Sequence, residues 1–113
     1  MKRTRQLEFS PKTRKIIKQR DRNECIFCEL RYHMEDATWL GCNIQNIMHY
    51  IPRSKGGLGI EQNGVLGCQY HHDMMDNGNK GLREEMLGIL RGYLMGNYPG
   101  WKEEDLIYNK WKF

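Results

Sequence analysis

Apolar residues in this chain come in short runs whose spacing changes along the sequence. Ser10 followed by Pro11 predicts a helix start, with Ser as N-cap and Pro at the first helical position. Ile16 and Ile17 give that helix one narrow apolar stripe up to about Arg20. Residues 38–51, TWLGCNIQNIMHYI, mix β-branched, aromatic and polar side chains and read as extended chain ending at Pro52. Residues 53–59 are turn chemistry, and a second short strand is expected at 65–67. A short helix should begin near Gln69 and end at the Asn77-Gly78 pair, a left-handed C-cap. From Leu82, the residues Met86, Leu87, Leu90, Tyr93 and Leu94 recur at helical spacing, closing before Gly96 and Pro99. Trp101, Leu106, Ile107 and Trp111 are expected to anchor the tail over the core.

The pattern predicts an α+β fold with a small ββα core and helices on either side. With no repeat, low-complexity tract or linker, residues 1–113 read as a single domain. A basic N-terminal helix falls within 1–24, the central core within 25–78, and a C-terminal helix and tail within 79–113. A chain of 113 residues with 39% hydrophobic content and 12 glycines builds a thin core. Such a core calls for a staple. The chain has 4 Cys and no apolar run of signal-peptide or membrane-spanning kind, which predicts a cytoplasmic, reducing setting and no membrane partner. There, Cys pairs point to metal rather than disulfide.

Charge sharpens the picture. Residues 1–22 hold nine Lys/Arg against Glu8 and Asp21, a local charge of +7 within a net +4, so the remainder is acidic. A basic segment of this kind, with Lys12, Arg14, Lys15 and Lys18 on the predicted helix, suits the DNA backbone, although a solvated helix face has the same composition.

Two constellations overlap in the middle of the chain. Cys25-Ile-Phe-Cys28 and, forty residues on, Cys68-Gln-Tyr-His71 have the spacing of two knuckles that each offer two ligands to one tetrahedral zinc. Cys42 is an alternative fourth ligand, but it lacks a partner two residues away and is expected as a packed thiol in a strand. The second set is His49, Asn63, His72 and Asp76. In a helix, His72 and Asp76 lie at i and i+4 on one face and can reach one cation. Neighbouring helical residues point about 100° apart, given ~3.6 residues per turn, so the adjacent His71 and His72 serve two different sites.

The stretch from His49 to His72, HYIPRSKGGLGIEQNGVLGCQYHH, together with Cys25 and Cys28, resembles the HNH endonucleases in their zinc-knuckle form, the short phage and prophage members above all. The resemblance covers about residues 10–78. It implies a ββα-metal core in which His49 matches the general base that activates water, His72 the metal ligand at the helix start, and Asn63 the residue that pins the loop and orients the base. Asp76 falls where many members carry another metal-ligating His. The implied cofactors are one structural zinc and one catalytic divalent cation, Mg²⁺, Mn²⁺, Ni²⁺ or Zn²⁺. The implied partners are DNA and phage packaging or replication proteins, in a bacterial or phage-infected cell. The chain departs from the pattern at Met48, where many members place an Asp or His ligand and where a thioether suits Mg²⁺ or Mn²⁺ poorly.

The chemistry of the residues agrees with phosphodiester hydrolysis. A neutral imidazole deprotonates water near physiological pH, and a divalent ion stabilises the pentavalent phosphorus and the leaving 3′ oxygen. Arg53, Lys55 and the glycines of RSKGG allow close approach to a phosphate, as well as forming a plain solvated turn. Two classes therefore stand: a metal-dependent DNA endonuclease, or a zinc-stapled DNA-binding or assembly module without catalysis. An RNA-directed nuclease is a third reading. Sequence specificity, and nicking against double-strand cutting, leave no signature in the chain.

Overall fold

The computed structural model describes residues 6–77 and 81–109. Its helices are α1 (Pro11–Arg20), α2 (Ile26–Glu29), α3 (Trp39–Asn43), α4 (Gln69–Asn77) and α5 (Arg83–Asn97), and its strands are β1 (Gln45–His49) and β2 (Gly64–Cys68). Single 3₁₀ turns occupy Arg53–Lys55, Glu61–Asn63 and Glu103–Leu106. The strands form a two-stranded antiparallel sheet in a register running from Gln45 opposite Cys68 to His49 opposite Gly64. The fold is thus a small α+β arrangement of one hairpin wrapped by helices.

α1 starts as its sequence dictates: Ser10 Oγ accepts a hydrogen bond from the Thr13 amide at 3.1 Å, and Pro11 fills the first turn. Its apolar stripe is a single residue wide, because Ile17 is fully buried while Ile16 is 37% exposed. Residues 39–43 depart from the extended reading. Thr38 Oγ1 accepts from the Gly41 amide at 3.0 Å, an N-cap that outweighs the strand tendency of a run that does not alternate there. The result is α3, which leaves Trp39 and Leu40 largely exposed and makes Cys42 a half-buried helical residue rather than a packed strand thiol.

β2 is buried along its whole length. β1 pairs one edge, and α1 satisfies the other with side chains. Arg20 donates from Nη2 to the Gly64 carbonyl at 2.7 Å, and Asp21 Oδ2 accepts from the Leu66 amide at 2.7 Å. These two side chains stand where a third strand would pair. They also hold each other, Arg20 Nε lying 2.7 Å from Asp21 Oδ1, while Tyr93 on α5 donates its hydroxyl to Asp21. Burial works against the Arg20 charge, but its bonds to Asp21 and Tyr98 outweigh it and raise the guanidinium pKa. Tyr93 is pushed up to about 12 by burial and then by its bond to Asp21.

α5 buries Met86, Leu90 and Leu94 and runs through Gly96 to Asn97, two residues beyond the expected stop. Asn97 Nδ2 caps the Tyr93 carbonyl at 2.8 Å, and Pro99 then prevents continuation. In the tail, Trp101 Nε1 donates to the Gln62 carbonyl and Leu106 is buried. Ile107, 39% exposed, holds the loop by its backbone, opposite Gly57. Gly78 and Trp111 lie outside the described residues. Among the described residues no helix is long and apolar enough to cross a membrane.

Replacing Asp21 by Ala strands the Leu66 amide and the Arg20 charge out of water, so it should cost about 3–5 kcal/mol of stability in urea unfolding. Tyr93→Phe, which loses one bond, should cost only about 1 kcal/mol. A loss below ~1 kcal/mol in Asp21→Ala would mean that the edge of β2 is held by other groups.

Candidate metal centre and hairpin site

The two knuckles meet. Cys25 is the N-cap residue of α2 and Cys28 lies within it, while Cys68 ends β2 and His71 sits in the first turn of α4. Their four ligand atoms all lie within 4.8 Å of one another. Sulfur-to-Nδ1 distances to His71 are 3.7 Å from Cys25, 3.6 Å from Cys28 and 3.3 Å from Cys68, and Cys28 and Cys68 sulfurs are 3.6 Å apart. Metal bonds of about 2.3 Å to sulfur and 2.0–2.1 Å to nitrogen, set tetrahedrally, put sulfurs about 3.8 Å apart and sulfur about 3.5 Å from nitrogen. Four of the six edges therefore lie close to those of a zinc tetrahedron, and the quartet can hold one metal ion such as zinc.

The surroundings fit the same ion. His71 is fully buried and its Nε2 donates to the Tyr32 carbonyl at 2.6 Å, which places the proton on Nε2 and turns the Nδ1 lone pair towards the sulfurs. Cys68 is pulled down to about 3 by the hydrogen bond from Cys25 and by that from the His71 amide, whereas Cys25 is pushed far up by that same Cys25–Cys68 bond and by burial. Burial, then Cys68, pushes Cys28 up to about 12. A bound dication would supply the positive charge that favours the ionised thiols. Cys42 lies outside this quartet, lining a cleft of about 340 Å³ beside Cys25 and Cys28.

The residues of the second constellation are arranged differently. Asn63 is fully buried at the entrance to β2 and uses its whole amide on the loop: Oδ1 accepts from the Ile51 amide at 2.8 Å, and Nδ2 donates to the Ile51 and Leu58 carbonyls at 3.0 and 2.9 Å. The Tyr50 amide adds a bond to the Asn63 carbonyl. Asn63 thereby fixes the exit of β1, where His49 sits. His49 is half-buried, its Nε2 bonded to the Leu7 carbonyl at 3.2 Å and its ring 4.3 Å from that of Phe9. Its pKa is lowered by burial, with Arg53 and Arg14 adding to that and the Leu7 bond opposing it.

On α4, His72 points away from His71. Its Nε2 is 3.3 Å from Asp76 Oδ2, and its Nδ1 is shut off from solvent with no hydrogen-bond partner among the described residues. Asp76 Oδ1 faces Arg83 at 3.7 Å. Among the described residues no hydrogen bond or ion pair joins His49 to His72 or Asp76, and the Cys25/Cys28/Cys68/His71 quartet is the one metal-sized group of three or more such side chains. Met48 is buried in the core with Val65 and Met75, against Gly67, where a Cβ would meet its sulfur at 2.2 Å. It offers nothing to a cation on the hairpin.

Lys12, Arg14, Lys15 and Lys18 are all exposed on α1, and Arg14, Lys15 and Lys18 line a groove of about 590 Å³ with Arg22 and Asn23. Arg53 and Lys55 are exposed in the loop after β1, Arg53 3.5 Å from Glu8. Sequence reading missed the Tyr32 and Leu7 carbonyls, since main-chain acceptors leave no letter in the sequence.

The metal-centre geometry predicts one equivalent of zinc by elemental analysis, with chelation melting the protein because binding and folding free energy are shared. His71→Ala should lose both zinc and stability, and Cys42→Ala should keep both. Zinc loss from Cys42→Ala alone would place the fourth ligand at Cys42.

Compared with known proteins, the chain matches no family model, no curated protein and no solved structure. What it does must therefore be read from the side chains of the metal centre and the hairpin.

Proposed function

We propose that the protein is a metal-dependent endonuclease of HNH type that hydrolyses DNA phosphodiester bonds, with the Cys3His centre as its structural staple. The observation that carries the reading is His72 Nδ1, buried and without a partner among the described residues, on the helix that follows the hairpin. Leaving a buried polar atom unsatisfied costs roughly 1–3 kcal/mol, and a ligand that takes its lone pair removes that cost. Asp76 beside Nε2 favours the proton there and so keeps Nδ1 as the free donor. In this arrangement Asp76, also engaged by Arg83, orients the ligand and is not itself the ligand expected from its spacing.

His49 supplies the base. With Nε2–H donated to Leu7, its Nδ1 carries the lone pair that accepts a proton from water, and its lowered pKa keeps it neutral at physiological pH. Asn63 holds the backbone on either side of the turn that follows. A divalent cation bound at His72 would stabilise charge on the pentavalent phosphorus and the leaving 3′ oxygen. The exposed cations of α1, with Arg53 and Lys55, would take the DNA backbone and position it without reading sequence.

One observation favours the second reading, a zinc-stapled DNA-binding or phage-assembly module: Met48 is 1% exposed, so no hard ligand stands beside His49. Plasmid nicking separates the two. Wild type should convert supercoiled plasmid to open circle with Mg²⁺, Mn²⁺ or Ni²⁺ and not without added cation, and His49→Ala and His72→Ala should each lose this while keeping zinc. Equal nicking by wild type and His49→Ala would rule out His49 as the base, and the absence of nicking with every cation would rule out the endonuclease.

The lowered His49 pKa sets a sign for pH dependence. The base is active when neutral, so activity should persist below the ordinary imidazole value of 6.5 before its acid limb begins. The same shift makes the folded state the weaker proton binder, so its contribution to stability is present above 6.5 and is lost as pH falls through the folded value. A cleavage profile whose acid limb lies above 6.5 would contradict the burial argument.

Neutralising Lys12, Arg14, Lys15 and Lys18 together should flatten the dependence of log K on log salt by up to about 3–4, at ~0.9 for each phosphate that no longer meets a cation. Zinc content should not change. An unaltered slope would make α1 a solvated face only.

A further inference from the structure

We infer that residues 6–9 form a strap that belongs to the site, in which the Leu7 carbonyl positions the His49 ring. The inference rests on the reading of His49 as general base and extends it to a segment forty residues away in sequence. Two contacts act on the ring directly: the bond from Nε2 to Leu7 O at 3.2 Å, and Phe9 at 4.3 Å between ring centroids with a 34° tilt. Together they set both the rotation of the imidazole and which nitrogen is left to work. With Nε2 occupied by a carbonyl, which only accepts, the neutral ring must carry its proton there and present Nδ1 as the base.

The strap is itself fixed on both sides. Leu7 and Phe9 are 4% and 7% exposed, Phe9 packing with Ile17 and Leu66. The Gly59 amide donates to Gln6 O at 2.9 Å, Arg14 Nε donates to Phe9 O at 3.3 Å, and Glu8 faces Arg53. Gly59 passes so close that a Cβ there would lie 2.1 Å from Glu8 O and 2.7 Å from Phe9 N. The loop that Asn63 clamps therefore carries the strap, and the strap holds the base. The charged groups around the ring are Arg14 from α1, Arg53 from the loop and, through its pairing with Arg53, Glu8 of the strap.

Gly59→Ala tests this without touching His49, Leu7 or the zinc ligands, because its new methyl group must displace the Leu7–Glu8–Phe9 backbone. Phe9→Leu is the second variant, removing the ring stack while keeping an apolar side chain. Gly92→Ala on α5, with nothing within 4 Å of the added carbon, is the control. In full-length, nitrogen-15-labelled protein, the His49 Nε2 proton should be protected from solvent exchange in wild type and in the control. It should be lost to exchange in Gly59→Ala, with the His49 titration moving up towards 6.5 in both strap variants. On plasmid DNA, kcat should fall about 10- to 100-fold in Gly59→Ala and less in Phe9→Leu, with KM and zinc content unchanged. An unprotected Nε2 proton in wild type overturns the proposal. So does a Phe9→Leu protein with titration and kcat both as in wild type, even if Gly59→Ala fails to fold. If His49→Ala nicks as well as wild type, the base reading falls, and the exchange and titration arms still decide whether the strap holds the ring.

Discussion

β2 has no side open to water, so each of its polar main-chain atoms must find a partner inside the protein, and most of the structure is arranged around that demand. β1 takes one edge, and Arg20 with Asp21 takes the other. The same strand places a candidate site at each end. Asn63 stands immediately before it and clamps the loop beside His49, while Cys68 ends it and His71 follows three residues on. A five-residue strand is thus the ruler that separates the metal centre from the hairpin site. Its burial allows such a small core to keep both in place, because a strand bonded on both edges cannot slip in register without stranding several polar groups at once.

Three of the four histidines are governed by one device. His71 gives Nε2 to the Tyr32 carbonyl, His49 gives Nε2 to the Leu7 carbonyl, and His72 sets Nε2 beside the Asp76 carboxylate. In each, an acceptor on Nε2 leaves Nδ1 as the lone-pair nitrogen, and the surroundings of Nδ1 set the use. Beside three sulfurs it can complete a soft tetrahedron; on the half-buried His49 it would suit a base; on His72, buried with no partner among the described residues, it would suit a borderline cation such as Zn²⁺ or Ni²⁺. His33 differs: it pairs at the surface with Glu35 through Nδ1 instead of Nε2.

Side chains that speak through spacing were legible in the sequence. The two Cys-x-x-Cys/His pairs announced a common point, Ser10-Pro11 announced the start of α1, and the split between His71 and His72 followed from the helical turn alone. Main-chain partners were not legible, since Leu7 O and Tyr32 O could belong to any residue type. Nor was α3, where one threonine hydroxyl on one amide tipped five residues from extended to helical. The Asp21 role was hidden for a related reason. In a basic segment a lone carboxylate reads as incidental, and only the bare edge of β2 shows why a negative charge beside Arg20 is needed there.

The same distinction explains why, on the endonuclease reading, Met48 weighs less against catalysis than its place in the resembled motif suggests. A hard ligand at 48 would have to leave the core face that Met48 fills against Gly67 and Met75, and an isolated carboxylate there would cost about several kcal/mol in desolvation. On the endonuclease reading proposed above, a cation on the hairpin would therefore have to draw its ligands from α4, from water and from the substrate itself. A site so built would be weak without DNA and would strengthen as phosphate oxygens arrive, which would couple metal binding to DNA binding by linkage. On that reading the basic face of α1 would contribute more than affinity, because holding a DNA backbone near His49 and α4 would also raise the local concentration of the oxygens that complete the cation's coordination.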